Sequence, residues 1–207
     1  MNTEETVFGQ TYRYYLSRIR ELSLASLAQP LGAKATGEGL KIPFFGNEYT
    51  VSSQAMTDPA GRRPPHEICV ILSKYILMCP DTLPGKADWV SFRDLKDAGP
   101  LTKYFANDVE RAIAVYFSGN SAELKKAAIS LGGHRPELDV DYDIALQFDA
   151  LPQVPVLLLY NDADAEFSAS CSVLFNSSVD TFLDAECIAM LGWQLFHHLK
   201  KANARQD

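Results

Sequence analysis

The strongest constraint on the fold is a change of hydrophobic period between residues 139 and 160. Apolar and polar residues alternate from Asp139 to Phe148, which places every second side chain on one face of a strand. Residues 154–160 then form a continuous apolar run that is short enough for a strand buried on both faces. A further apolar segment at residues 171–175 predicts a third strand. This part of the chain is therefore predicted to form a sheet.

Helical spacing accounts for most of the remaining apolar residues. Apolar side chains recur every three or four positions in three segments, which are residues 8–22, 105–117 and 188–199. Residues 65–78 are apolar around nearly the whole circumference, so the helix that Pro65 begins is predicted to be central. A shorter fifth helix is predicted between a capping box, Asn120 with Glu123, and the stop at Gly132-Gly133.

A hairpin is predicted in the first half of the chain, where the turn dipeptide Gly46-Asn47 separates residues 40–45 from residues 48–51. Residues 25–39 and 52–64 contain turn-forming residues and are predicted to be flexible connections. The elements together predict an α+β fold in which a small antiparallel or mixed sheet is packed by about five helices. We expect one domain over residues 1–207, a length that can bury a sizeable core.

Composition argues against several classes of protein. The net charge is −7 and basic residues occur in scattered pairs, whereas nucleic-acid binding requires a concentrated basic face. The sequence opens without an apolar segment and contains no run of the ~20 apolar residues that a membrane span requires. We therefore expect a cytoplasmic protein with no nucleic-acid or membrane partner. The four cysteines form no Cys-x-x-Cys pair, which predicts free thiols and no intrinsic iron–sulfur motif.

Carboxylates alternate directly after the apolar run, at Asp162, Asp164 and Glu166. Three such side chains can converge on a hard cation such as Mg²⁺ or Ca²⁺, although the spacing is not that of an EF-hand loop. The alternative is that they are solvated residues of a turn at the strand end.

A second candidate site surrounds Arg93, which follows Trp89, Ser91 and Phe92 in an aromatic segment. A guanidinium held among aromatic side chains can bind an anionic ligand, and Trp89 is close enough in sequence to stack on it. The alternative is a structural ion pair between Arg93 and an internal acid.

Several segments, in this order, resemble a family of prokaryotic proteins catalogued as a domain of unknown function and common in anaerobes. The segments are IPFFGNEYTV at 42–51, WVSFRDL at 89–95, Gly132-Gly133, FDALPQVPVLLLY at 148–160, DAEF at 164–167, VLFNSS at 173–178 and Glu186 with Leu191-Gly192. Some relatives are fused to a four-cysteine iron–sulfur module. The resemblance implies an accessory role in redox, corrinoid or iron–sulfur metabolism, and because this chain lacks the module, a partner protein would supply the cluster.

Three functional hypotheses follow. The first is a binding or accessory protein that holds an anionic ligand or partner near Arg93, with Trp89, Ser91 and Phe167 as further ligand-binding residues. The second is an enzyme in which Asp162, Asp164 and Glu166 bind a divalent cation that activates water. The third is a protein-interaction module, for example a homodimer. No Gly-x-Ser-x-Gly, Walker A, Rossmann or His-Glu-x-x-His motif is present, so the sequence indicates no particular reaction or cofactor.

Overall fold

The computed structural model describes residues 3–85 and 87–205, with side chains from residue 7 onward. The strands form two antiparallel four-stranded sheets. The first sheet contains, in sequential order, β1 (Lys34–Ala35), β2 (Leu40–Phe44), β3 (Asn47–Val51) and β4 (Met56–Thr57). The second sheet contains β5 (Trp89–Ser91), β6 (Ile144–Leu151), β7 (Val154–Asn161) and β8 (Ser170–Asn176). Its spatial order is β5-β8-β7-β6.

Helices pack around both sheets. They are α1 (Thr3–Arg20), α2 (Leu24–Leu27), α3 (His66–Leu77), α4 (Thr102–Phe105), α5 (Arg111–Phe117), α6 (Ser121–Ser130) and α7 (Ala185–Asn203). A π-helical segment, Ala106–Glu110, connects α4 to α5, so these three elements follow one another without a break. This architecture confirms the predicted α+β class. Among the described residues, no helix combines the length and apolarity needed to cross a membrane.

The hairpin turn lies one residue earlier than predicted. Phe44 pairs with Asn47, so the two-residue loop is Phe45-Gly46, and both loop residues have positive φ, 43° and 73°. Positive φ at both positions is the requirement of a type I′ turn. Phe45 adopts this conformation although it is not glycine, because its ring is buried and its N–H donates to the Ala150 carbonyl at 3.0 Å. Tertiary packing therefore determines the position of the turn.

Other boundaries also differ from the predictions. Residues 52–64 are more than a connection, because they contain β4, which pairs with β3. Residues 25–39 likewise contain β1. The alternating stretch becomes a strand only at Ile144, because the residues before it are largely exposed and lack the buried face that stabilises a strand. The short strand β5 was not predicted.

The two sheets share one continuous apolar core. α7 lies at its centre and buries Leu191, Leu195 and Leu199, as its helical spacing predicts. Gly192 faces Phe105, and a Cβ at that glycine would come within 2.4 Å of the phenylalanine ring. α7 therefore packs so closely against Phe105, the last residue of α4, that position 192 requires glycine. The arrangement leaves the C-terminal turns of α7 beside β3, where a cleft opens.

Candidate functional site

The residues predicted around Arg93 lie along β5 and the turn that follows it. The Arg93 side chain is 72% exposed, and its nearest carboxylate is Asp94, with Nε and Oδ1 3.9 Å apart. The internal acid of the alternative interpretation is therefore not within ion-pair distance among the described residues. No cation–π contact joins Arg93 to Trp89 in the described part of the chain.

Phe167 is distant from the other three predicted ligand-binding residues. It is 70% exposed and lies in the loop before β8, whereas Trp89 pairs with Asn176 at the opposite end of that strand. Ser170 and Asn176 are six positions apart in β8, which corresponds to roughly 20 Å along an extended strand. Trp89 and Phe167 therefore do not belong to one small-molecule site.

Ser91 and Arg93 do line a common cavity of about 250 Å³, here called the Glu110 pocket. Its lining residues are Ser91, Phe92, Arg93, Thr102, Phe105, Ala106, Glu110 and Ser172. Glu110, at the end of the π-helical segment, accepts a hydrogen bond from the Val173 N–H through Oε1 at 3.0 Å. Burial raises the pKa of Glu110, and the Val173 hydrogen bond and the Arg93 charge oppose that rise.

Asp162, the first residue of the predicted metal site, is surrounded by hydrogen-bond donors from the protein. Its carboxylate accepts from the N–H groups of Gly119, Ser121 and Ala163 at 2.6, 3.1 and 2.8 Å, and the Tyr160 hydroxyl lies 3.0 Å from Oδ1. Burial alone would raise the pKa of Asp162, but these hydrogen bonds outweigh it and lower the pKa to about 2. Asp162 thus fixes the start of α6.

This role replaces the predicted capping box. Asn120 is the N-cap residue of α6, but its side chain donates to the Ser118 carbonyl instead of accepting from the helix. The carboxylate that accepts the orphan N–H groups comes from Asp162, 42 positions after Asn120 in the sequence. Local spacing cannot show such a cap, because the donor and the acceptor meet only in the folded chain.

Asp164 and Glu166 belong to a tight turn. Asp164 Oδ1 accepts from the N–H groups of Glu166 and Phe167 at 2.8 and 2.7 Å, the pattern of an Asx turn. Both side chains are exposed. Within residues 3–85 and 87–205, no group of three His, Cys, Asp or Glu side chains is arranged to hold a metal ion. The metal hypothesis stays a prediction, and the hydrogen bonds favour its alternative, a solvated turn.

A larger cavity, of about 520 Å³, lies between β3, the turn at residues 58–62 and the C-terminal turns of α6 and α7. We call it the His198 cleft. Its lining residues are Asn47, Tyr49, Asp58, Pro59, Ala60, Arg62, Ser130, Leu131, His198, Lys201, Ala202 and Arg205. The volume falls in the range of cavities that bind small molecules.

His198 is held in the cleft wall by aromatic neighbours. Its ring centroid lies 5.4 Å from that of Phe45 and 6.2 Å from that of Phe44. Its Nε2 is buried and has no hydrogen-bond partner among the described residues. Burial, with smaller contributions from the charges of His197 and Lys201, lowers the pKa of His198 to about 4. At neutral pH the ring is therefore uncharged, with one polar atom unsatisfied.

The charges of the cleft are unevenly distributed. Asp58 and Arg62 neutralise each other, since the Arg62 guanidinium donates to Asp58 Oδ2 at 2.9 and 3.1 Å. Lys201 and Arg205 form no ion pair with the residues described. The C-terminus of α7 carries about half a negative charge, which is less than these two cations together supply. Burial, with the nearby Asp58 carboxylate, raises the pKa of Tyr49 further above neutral pH, so its hydroxyl is protonated and can donate a hydrogen bond.

Sequence reasoning did not find this cleft. Neither Lys201 nor His198 was among the candidate site residues. The four walls come from segments separated by up to about 150 residues in the sequence, so no local motif joins them. One signal for the cleft was available in the sequence. His198 comes one position before Leu199, the last buried leucine of an amphipathic helix, and therefore lies at the edge of the core.

Together these features define an α+β protein whose described residues include two candidate binding sites, the Glu110 pocket and the His198 cleft. Residues 23–198 match the family described as Domain of unknown function (DUF3786). The chain belongs to this family, which confirms the resemblance to a domain of unknown function. Comparison with curated proteins and with solved structures finds no match.

Proposed function

We propose that the protein is a binding protein that holds a small anionic ligand in the His198 cleft. The observation that carries the proposal is a cavity lined by Lys201 and Arg205, which form no ion pair with the residues described, and by His198, whose buried Nε2 has no partner among those residues. A buried nitrogen without a partner costs about 1–3 kcal/mol, so a ligand or ordered water that reaches it recovers free energy. The anionic ligand that the sequence predicted near Arg93 is thus proposed to bind beside Lys201 and Arg205 instead.

The chemistry of the cleft favours an anion over a neutral molecule. Lys201 and Arg205 stand out on a chain of net charge −7, and the protonated Tyr49 hydroxyl adds a hydrogen-bond donor. Arg205 can bind a carboxylate or phosphate in bidentate fashion, and Lys201 acts as a point charge. Uncharged His198 can accept or donate one hydrogen bond, depending on its tautomer. A small phosphate ester or carboxylate matches this set.

The binding role fits an accessory protein in anaerobic redox, corrinoid or iron–sulfur metabolism, the setting that the family resemblance implies. Burial raises the pKa of Cys69 to about 11 and that of Cys171 well above its usual value, which disfavours the thiolate form of both side chains. We propose that any cluster or corrinoid belongs to a partner protein and that the protein acts in the cytoplasm, where free thiols persist.

The first test is native mass spectrometry of protein purified anaerobically from its own host, beside a denatured sample. We expect a mass excess of a small anionic molecule that disappears on denaturation. An iron–sulfur or corrinoid protein that copurifies would support the accessory role. A bare chain whose melting temperature is unchanged by a panel of phosphate esters and carboxylates would overturn the proposal.

The second test assigns the ligand to the cleft. The double variant Lys201→Gln/Arg205→Gln removes both cations, and Lys103→Gln/Arg111→Gln removes the same charges from exposed positions outside the cleft. We expect the first variant to bind the identified ligand at least about tenfold more weakly and the control variant to bind like wild type. Equal losses in the two variants would indicate nonspecific electrostatics instead of a site.

A further inference from the structure

The Glu110 pocket has features that the anion-binding function does not use. It lies at the end of β5, where Ser91 pairs with Leu174 as the last residue of that strand. Beyond the end of β5, the next N–H group on this edge of β8, that of Val173, donates to the Glu110 carboxylate instead of to a strand. Glu110 is the last residue of the π-helical segment Ala106–Glu110, a geometry that often occurs at functional sites.

Both charges of the pocket are incompletely neutralised. Glu110 uses Oε1 for Val173, and its Oε2 has no hydrogen-bond partner among the residues that the structure describes. Arg93, which also lines the pocket, has among the described residues only the 3.9 Å ion-pair contact with exposed Asp94. The Arg93 charge acts on Glu110, but the two side chains do not form an ion pair within 4.0 Å among the described residues.

The remaining lining suits a small organic molecule. Phe92 and Phe105 stack at a centroid distance of 4.4 Å and an angle of 10° and are almost completely buried, so they form a rigid apolar base beneath the pocket. The hydroxyls of Ser91 and Ser172 also line the pocket and form no side-chain hydrogen bond with other described residues. The cavity volume of about 250 Å³ admits only a small ligand.

We infer that the Glu110 pocket binds a small zwitterion of the α-amino acid class. Arg93 binds the carboxylate, Glu110 Oε2 accepts from the ammonium, and the serine hydroxyls complete the polar contacts. A simple anion would face the Glu110 carboxylate, and a simple cation would face the Arg93 guanidinium. Only a ligand with both charges finds an opposite charge at each end. The pocket is separate from the His198 cleft, so this inference goes beyond the proposed function.

Isothermal titration calorimetry tests the inference with glycine, L-alanine and L-serine as probes, and with acetate and methylammonium as ligands that carry one charge each. We expect at least one amino acid to bind about tenfold or more tightly than both single-charge ligands. Acetate or methylammonium binding as tightly as the amino acids, or no binding of any amino acid, would overturn the inference.

Two variants locate the binding site. Glu110→Gln retains an oxygen for the Val173 N–H and removes the charge, and Arg93→Gln changes an exposed side chain. We expect each to weaken amino-acid binding about tenfold or more, with Asp94→Asn as a control that binds like wild type. Thermal melting identifies a variant that fails to fold, and Arg93→Gln alone then decides. Unchanged affinity in folded Arg93→Gln protein would contradict the inference.

Discussion

Asp162 and His198 are both polar residues near the end of a regular element, but they differ in how far the protein satisfies their hydrogen-bonding groups. Asp162 is surrounded by three backbone N–H groups and one hydroxyl, all within 3.1 Å of its carboxylate. His198 keeps a buried nitrogen for which the described residues provide no partner. The carboxylate that the sequence predicted as a metal ligand thus has its acceptor sites engaged, whereas the histidine, which was not among the predicted site residues, keeps a nitrogen without a partner among the described residues.

The comparison teaches how to separate structural from binding roles in one chain. A polar group that the protein itself satisfies contributes to stability, and a ligand must displace those bonds before it can bind. A polar group that folding leaves unsatisfied lowers stability, and a ligand recovers the difference. This distinction predicts opposite effects of mutation at the two positions, on stability at Asp162 and on binding at His198.

The largest effect is expected for Asp162→Ala. The substitution leaves the N–H groups of Gly119 and Ser121 without their acceptor at the start of α6, and we expect a loss of about 2–3 kcal/mol in the free energy of unfolding. Urea denaturation at neutral pH measures it. Asp164→Ala, in the exposed Asx turn, is the control and should change stability much less. Equal losses in the two variants would break the comparison.

As the pH is lowered, we expect the contributions of His198 and Asp162 to the free energy of unfolding to be lost in two separate pH ranges. The pKa of His198 falls from 6.5 to about 4 on folding, so the unfolded chain binds its proton first, and stability is lost as pH decreases from about 6.5 to about 4. The pKa of Asp162 falls to about 2, so its contribution is full above about 4 and is lost as pH decreases towards 2.

The expected loss from His198 is on the order of 2 kcal/mol across its window, after allowing for partial solvent access. The measurement is the free energy of unfolding against pH for wild type and His198→Gln. The difference between the two curves is required because His66, whose pKa burial also lowers, acts in the same direction. Parallel curves between pH 6.5 and 4 would show that His198 does not carry the effect.

A smaller effect, of opposite sign, is expected for His198→Leu at neutral pH. Leucine keeps apolar contact with Phe44 and Phe45 and removes the unpartnered nitrogen, so we expect an increase in stability of up to about 1 kcal/mol. The same variant should bind the cleft ligand at least about tenfold more weakly. Thermal unfolding and calorimetry check both results. A marked loss of stability would mean that His198 has a structural partner.

Much of the fold was predictable because it depends on local patterns. The continuous apolar run became β7, buried as predicted, and the spacing of Leu191, Leu195 and Leu199 gave the buried face of α7. Periodicity reports which side of an element is buried, and each of these elements has one consistent buried surface. The turn at Phe45-Gly46 was misplaced by one residue because a tertiary hydrogen bond to Ala150 holds Phe45 at positive φ.

The cavities were not predictable, because local patterns do not show which residues distant in the sequence meet in the folded chain. Ser91 and Arg93 line one pocket, but the carboxylate that shares it, Glu110, lies on a π-helical segment that has no local sequence signature. The cap of α6 by Asp162 and the walls of the His198 cleft also join residues distant in sequence. Spacing alone cannot show whether a carboxylate meets a donor or an open cavity.

The smallest expected effect concerns divalent cations. Because Asp162 is engaged by protein donors, and Asp164 Oδ1 accepts two N–H groups, we expect Mg²⁺ or Mn²⁺ to change the melting temperature of wild type and of Glu166→Gln equally and only slightly. Differential scanning fluorimetry with each chloride salt, and with NaCl at matched ionic strength, is the measurement. A rise of several degrees in wild type that Glu166→Gln abolishes would establish a metal site at the loop before β8. It would also show that a carboxylate satisfied in the folded chain can exchange its protein donors for a cation, which is the outcome that the contrast with His198 excludes.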